Sequence, residues 1–342
     1  MAEVINTVAE LEERLSRPVP QVIDAMATLP GDLMILGAGG KMGPSLAEMA
    51  ARAIDAGGVK KRVFGVSRFS DRVVKKKLDA LRVETIEADL LDEDSLRQLP
   101  DVENVIYMVG RKFGSTGNEP LTWMVNTMLP GEVIRRFRNS RVVVFSTGNV
   151  YPLMPVESSG ARESTPPAPV GEYSQSCLGR ERIVEYWSER LDVAAAILRL
   201  NYAIDLRYGV LLDIASRVRS GEPVDLGMGY VNVIWQGDAN AAALLALTAV
   251  SKPPQILNVT GMEKISVRSV AEEFGRLLDV EPVFANAESE TALLSDAGLF
   301  HELFSFPKVT VDQMVQWIVH WIKIGGPVLN KPTMFEQREG RF

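Results

Sequence analysis

From Leu33 to Leu200 the chain alternates between short apolar runs and longer stretches in which apolar residues recur every three or four positions. The runs at 33–36, 62–66, 104–108, 141–145 and 194–200, with a more polar one at 83–86, predict strands. Because most lack the alternation of a half-exposed strand, they read as buried on both faces. The periodic stretches predict helices at 44–55, where Leu46, Met49, Ala50 and Ile54 share one face, and at 94–99, 123–137 and 172–188. The expected fold is α/β, a doubly wound parallel sheet whose ligands gather at the carboxyl ends of its strands.

Beyond residue 200 the alternation loosens. Helical periodicity at 211–220, 238–250, 267–278 and 311–322, with a short strand at 256–259, predicts a smaller C-terminal substrate lobe over 201–325, partly returning to the main sheet. Residues 1–30 read as a helical extension broken at Pro18 and Pro20. Residues 326–342, with Gly326-Pro327 and Lys331-Pro332, read as an extended tail.

The first strand runs into Gly37-Ala38-Gly39-Gly40-Lys41-Met42-Gly43, and Pro44 then opens a helix. So tight a strand-to-helix turn needs a residue without a side chain, and so does the approach of backbone to a pyrophosphate. The helix behind it offers unpaired N–H groups and the positive end of its dipole. Gly37, Gly40 and Gly43 are spaced by three, and Gly39 also supplies the middle glycine of a G-x-G-x-x-G pattern. The turn, Lys41 and Met42 included, is therefore the expected dinucleotide site of a Rossmann-like domain over 31–200.

The second strand ends Gly65-Val66-Ser67-Arg68, without the carboxylate that an NAD-specific site offers to the ribose 2′-hydroxyl. Arg68 suits a bidentate pair with a 2′-phosphate and Ser67 a donor to it, which points to NADP. An arginine stacked on adenine would tolerate NAD, so both cofactors stay open.

With 37 Lys and Arg against 44 Asp and Glu, the net charge of −7 argues against nucleic acid as a partner. Lys75-Lys76-Lys77 and the group Arg135, Arg136, Arg138 and Arg141 read as solvated helix ends. No apolar run approaches the length of a membrane span, and the N-terminus carries Glu residues without a signal-peptide pattern, so a cytoplasmic location is expected. A single cysteine, Cys177, excludes an internal disulfide. With only His301 and His320 as histidines, no metal site is expected.

Several residues together resemble the extended short-chain dehydrogenase/reductase family, its NAD-dependent epimerase/dehydratase group. They are the glycine turn, Asp89 with Leu90, Asn126 in Met124-Val125-Asn126-Thr127, and Phe145-Ser146-Thr147-Gly148-Asn149-Val150-Tyr151. Tyr173, Asp238 with the Ala-rich helix after it, and Leu257-Asn258-Val259-Thr260-Gly261 complete the set. The resemblance spans residues 31–325. It implies that Asp89 and Leu90 lie beside the adenine, that Tyr173 is the general acid/base, and that Thr147 hydrogen-bonds a substrate hydroxyl or carbonyl.

The family's Tyr-x-x-x-Lys is broken here, as Tyr173-Ser174-Gln175-Ser176-Cys177. In the family that lysine binds the nicotinamide ribose and lowers the tyrosine pKa. A tyrosine without such a cation stays near 10, poorly matched to proton transfer at neutral pH. Lys112, after the fourth strand, and Arg180, on the tyrosine helix but roughly 10 Å further along its axis, are the candidate substitutes. Lys112 is slightly preferred, since it lies at the carboxyl edge where the nicotinamide is expected. Cys177 is expected to fill space, having no histidine near it in sequence.

Thr147-Gly148-Asn149 stands where sugar-nucleotide 4,6-dehydratases of the family carry Thr-Asp-Glu, so dehydration is not expected. Val231 stands where nucleotide-sugar epimerases often place an arginine for a diphosphate, which favours a smaller sugar, sugar acid or cyclic polyol. The resemblance thus implies an NAD(P)-dependent oxidoreductase or epimerase acting on a secondary alcohol or ketone of a sugar-like substrate. The missing lysine keeps open a non-catalytic dinucleotide-binding sensor, and a homodimer is compatible with either.

Overall fold

A computed structural model describes residues 4–341. Strands β1 (Leu33–Leu36), β2 (Val63–Ser67), β3 (Val83–Glu87), β4 (Asn104–Tyr107) and β5 (Arg141–Thr147) lie side by side. The short β6 (Met154–Pro155) leaves them to pair antiparallel with Thr291–Ala292. With β7 (Ala195–Leu200) and the strand Gln255–Val259 they form one seven-stranded sheet. Its order is Gln255–Val259, β7, β5, β4, β1, β2, β3, and every neighbouring pair is parallel. The chain builds outward from β1 on one side and then outward through β4 on the other, so the strand order reverses between β1 and β4. That reversal opens a crevice at their carboxyl ends.

The N-terminal helices α1 (Val8–Ser16) and α2 (Pro20–Thr28) precede β1 and part company in packing. Leu11 and Leu15 of α1 join the core of the C-terminal lobe, while Val22 and Met26 of α2 join the core of the sheet. One sheet face is covered by α3 (Gly43–Ala56), whose Leu46 and Ala50 pack on Ile35 and Val143. Two further helices, α4 (Arg72–Ala80) and α5 (Glu93–Arg97), flank β3 in sequence. On the opposite face, α6 (Glu119–Trp123) passes through a single π turn, Met124–Met128, into α7 (Leu129–Arg136). Val133 and Ile134 of α7 pack there with Val184 of α8 (Gly171–Leu191) against Tyr107 and Val144.

In the lobe, α9 (Val210–Ser220) contributes Leu211, Ile214 and Val218 to a separate core. The helix α10 (Gln236–Ala246) is buried along its whole length, and Gln236 and Asn240 both donate to Ser45 Oγ of α3, at 3.0 and 2.9 Å. Val270 and Phe274 of α11 (Val267–Leu278) belong to the lobe core, α12 (Gly298–Phe304) packs Phe300 on the sheet core, and α13 (Val311–Lys323) returns Trp317 and Ile318 to the lobe.

The helix α4 differs from the sequence reading, which gave the lysine run only as solvated helix ends. Asp71 caps it by accepting from Val73 N at 2.8 Å, and although Leu78 is its one fully buried residue, the half-buried Val74 and the following Leu81 pack beside it on the sheet core. Two of its three lysines are paired, Lys75 with Asp79 at 3.1 Å and Lys77 with Glu12 of α1 at 2.6 Å.

Under the crevice lies a buried ion pair. Arg199 of β7 and Glu181 of α8 meet at 2.7 Å with side chains 2% and 0% exposed. Ser146 Oγ donates to Glu181 at 2.5 Å, Arg199 donates to the Tyr151 hydroxyl at 2.6 Å, and that hydroxyl donates to Asn258 Oδ1 at 2.8 Å. Glu181→Gln is expected to lower stability by about 3–5 kcal/mol, because it leaves the guanidinium buried without its counter-charge. Chemical denaturation of the variant checks this, and an unshifted midpoint would contradict it.

Candidate active site

The glycine turn follows β1 and opens α3. Gly37 has φ +101°, in the region that favours glycine, and its amide donates to Val66 O at 2.9 Å. A Cβ on Gly43 would lie 2.4 Å from Ala38 O, so the start of α3 packs directly on the turn only because that atom is missing. A cleft of about 370 Å³ runs from this turn across the ends of β2, β3 and β4, and Gly39, Ser67, Arg68, Asp89 and Leu90 line it.

Arg68 is exposed there and makes no ion pair among the described residues. The carboxylate in register with Ser67 is Glu87 of β3, and it is taken by Arg72 at 2.5 Å. Asp89 is exposed and accepts from Leu91 N at 3.0 Å. These positions bring together a glycine turn, an arginine without an ion pair among the described residues at the β2 tip and an acid at the β3 tip.

A second cleft of about 380 Å³ shares Gly37, Gly40, Met108 and Gly110 with the first, so the two form one trough. Thr147 ends β5 on one wall, Tyr173 and Arg180 project from α8, and Lys41, Met42 and Lys112 line the same space. Tyr173 is half-buried, with its hydroxyl against Thr147 and Cys177. Burial pushes the phenol well above its ordinary pKa and the neighbouring thiol adds to this, while Arg180 and the Thr147 hydrogen bond pull the other way. Cys177 is 1% exposed and burial raises its thiol too, so it stays protonated.

Of the two candidate cations, Arg180 acts on the phenol. Its Nη1 donates to Phe145 O at 2.5 Å, its Nε to Asn126 O at 3.0 Å and its Nη2 to Asn126 Oδ1 at 3.0 Å. Helical side chains lean toward the N-terminus, which brings the long Arg180 side chain back along α8 toward Tyr173. Lys112 instead donates to Thr333 O at 3.3 Å, and burial lowers its pKa to about 8. The sequence slightly preferred Lys112; here Lys112 reaches the tail, while Arg180 reaches back toward Tyr173.

Asn126 sits in the π turn, a widened turn of the kind often found at functional sites. Its amide donates to Arg111 O and Ser176 Oγ, both at 3.0 Å, and accepts from Arg111 N at 2.8 Å besides Arg180. Asp238, by contrast, is structural: its Oδ2 accepts from Lys308 N and Val309 N at 2.9 and 2.8 Å.

Other features of the trough were not read from the sequence. Asn201 Nδ2 and Ser295 Oγ are buried without partners, and both side chains approach the Cβ position that Gly148 leaves empty, at 3.2 Å. The tail folds back over the trough, where Thr333 N and Oγ1 both donate to Asp213 Oδ2 of α9 at 2.7 Å and Phe335 is buried. His301 meets Phe306 O at 3.0 Å and His320 meets Asn6 Oδ1 at 2.9 Å, and no cluster of metal ligands exists among the described residues. No helix among them is long and apolar enough to cross a membrane.

Residues 33–259 match the family described as the NAD dependent epimerase/dehydratase family. Solved structures of similar fold include UDP-glucose 4-epimerase of Thermus thermophilus in complex with NAD, 21% identical with a TM-score of 0.66 over 85% of this chain and 99% of that one. UDP-glucuronic acid 4-epimerase of Bacillus cereus is 17% identical, with a TM-score of 0.71 over 85% and 99%. The dTDP-glucose 4,6-dehydratase of Bacillus anthracis, in complex with NAD, is 15% identical, with a TM-score of 0.71 over 85% and 96%. No curated protein sequence matches the chain.

Gly43→Ala is expected to weaken dinucleotide binding by about tenfold or more, since the added methyl must displace the turn backbone. Titration of the folded variant with NADH, followed by fluorescence, measures it. Unchanged affinity would mean that the turn does not hold the dinucleotide.

Proposed function

This chain belongs to the NAD-dependent epimerase/dehydratase family, and from that membership we propose that it interconverts a secondary alcohol and a ketone on a sugar-like substrate. The reaction is a net oxidation or reduction, or an epimerisation through a transient ketone. One observation carries the reading: Thr147, Tyr173 and Arg180 line one wall of a trough continuous with the glycine-turn cleft. The cofactor fits that trough, because Gly43 lets the start of α3 pack directly on the glycine turn, so that the N-terminus of α3 opens there toward a phosphate. When bound, the nicotinamide supplies the hydride acceptor or donor.

In this reading Tyr173 removes or returns the proton of the substrate hydroxyl, and Thr147 orients that oxygen while holding the phenol. Arg180 supplies the positive charge that stabilises the phenolate. With the phenol raised by burial, Tyr173 is protonated at neutral pH and serves most readily as the acid of ketone reduction. Residues 31–200 hold the dinucleotide and 201–325 the substrate. Val231 in place of a diphosphate-binding arginine favours a substrate without a nucleotide, and the protein acts in the cytoplasm.

Tyr173→Phe is expected to lower turnover by about 10²-fold or more while leaving dinucleotide affinity nearly intact. In the unaltered protein, alcohol oxidation is expected to keep accelerating with pH up to and beyond the ordinary tyrosine value near 10, with no plateau below it, because burial holds the phenol above that value. Rates with a panel of sugars and sugar acids, read by nicotinamide absorbance, check both. Dinucleotide binding with no turnover of any of them would favour a sensor.

We also propose that NADP binds more tightly than NAD, supported by the unpaired Arg68 and by Glu87 being engaged. Arg68→Ala is expected to cost about 1–3 kcal/mol for NADP and little for NAD. Equal or tighter binding of NAD by the unaltered protein would refute this.

A further inference from the structure

Lys41 belongs to the glycine turn, but its side chain crosses the trough to the C-terminal lobe. Its ammonium donates to Ala203 O at 3.3 Å and stands 4.0 Å from the centre of the Tyr208 ring. It makes no ion pair among the described residues. An ammonium has three donors, so a single carbonyl leaves two uncommitted.

The surroundings are one-signed. Lys41, Lys112 and Arg180 line this part of the trough, and no aspartate or glutamate does. The acids nearest Lys41 are already engaged: Asp205 accepts from Arg207 N at 2.7 Å and pairs with the Arg207 guanidinium at 3.3 Å, while Asp213 holds Thr333. Arg180 is committed to Phe145 O and Asn126, and Lys112 to Thr333 O.

We propose that Lys41 binds an oxyanion of the substrate, a carboxylate or a phosphate monoester, seated between the glycine turn and Tyr208. The substrate is then an acidic sugar derivative rather than a neutral sugar, an inference that rests on the alcohol–ketone reading given above. Lys41 is exposed at this part of the trough, so an anion can reach its ammonium without the side chain first having to be uncovered. Tyr208, pushed up to about 12 by burial and by Asp213, offers a neutral ring and no negative charge.

The test is isothermal titration at pH 7 of the full chain, saturated with NADPH, using D-glucuronate, D-glucose 6-phosphate and D-glucose. Unaltered protein, Lys41→Gln and Lys41→Arg are compared, and NADPH affinity is measured separately for each. At least one acid is expected to bind about tenfold or more tightly than glucose, as a charge-assisted contact allows. Whichever acid binds identifies the oxyanion. Lys41→Gln is expected to erase the preference and Lys41→Arg to keep it, and the loss for the acid is expected to exceed any change in NADPH affinity by about tenfold, because the ammonium leaves the turn for Ala203 O.

Equal binding of acid and neutral sugar, or no binding of either acid, would overturn the inference. So would a loss of NADPH affinity in Lys41→Gln equal to the loss for the acid, which would assign the lysine to the cofactor's own phosphates. Turnover of glucose without an acid preference sinks this inference and leaves the alcohol–ketone reading standing. An acid preference that depends on Lys41, without turnover, supports the inference and counts against that reading.

Discussion

Two adjacent residues of α8, Arg180 and Glu181, are both charged and both buried, and the geometry of the trough follows from how each is satisfied. A charge removed from water is tolerated only with its partners in place. Arg180 finds them in Phe145 O of β5 and in both oxygens of Asn126, while Glu181 finds them in Arg199 of β7 and Ser146 of β5. Neighbours on a helix point about 100° apart, so meeting both sets of partners fixes the rotation of α8 as well as its position. Tyr173 lies about two turns before Arg180 and therefore faces the same wall, toward Thr147.

The same arrangement sets the electrostatics of the phenol. A lysine one turn after the tyrosine would offer a mobile point charge beside the hydroxyl. Here that position is a buried thiol, which disfavours the phenolate, and the positive charge is a guanidinium tied to three oxygens. The field of a charge so engaged is weaker at the phenol than burial is, which leaves Tyr173 raised rather than lowered. The trough is thus a pre-formed, positively lined space whose tyrosine is kept neutral. Its roof is the tail, held by Asp213 and by Lys112.

The sheet was legible because its strands other than the half-exposed edge strand β3 are largely buried on both faces and so form apolar runs, and α3 and α11 because their buried residues make a stripe. The helix α4 was not, since its stripe is only Val74, Leu78 and the following Leu81, too short a period to stand out beside three lysines. The glycine turn could be assigned from spacing because the requirement there is on backbone. Side-chain direction is another matter. The reach of Arg180 back along α8 and that of Lys41 across to Ala203 depend on partners distant in sequence. The same holds for Thr333 on Asp213 and for the unpartnered Asn201 and Ser295, whose meeting is set by the lobe and not by any local pattern.

The most direct measurement is the titration of Tyr173 itself, taken as the ultraviolet difference between the unaltered protein and Tyr173→Phe as pH is raised. The account predicts that tyrosinate absorbance from this residue appears only above the ordinary tyrosine value near 10, because burial outweighs Arg180. A difference signal that titrates below 10 would show that a cation controls the phenol after all, and would contradict the arrangement described for Arg180 and Cys177.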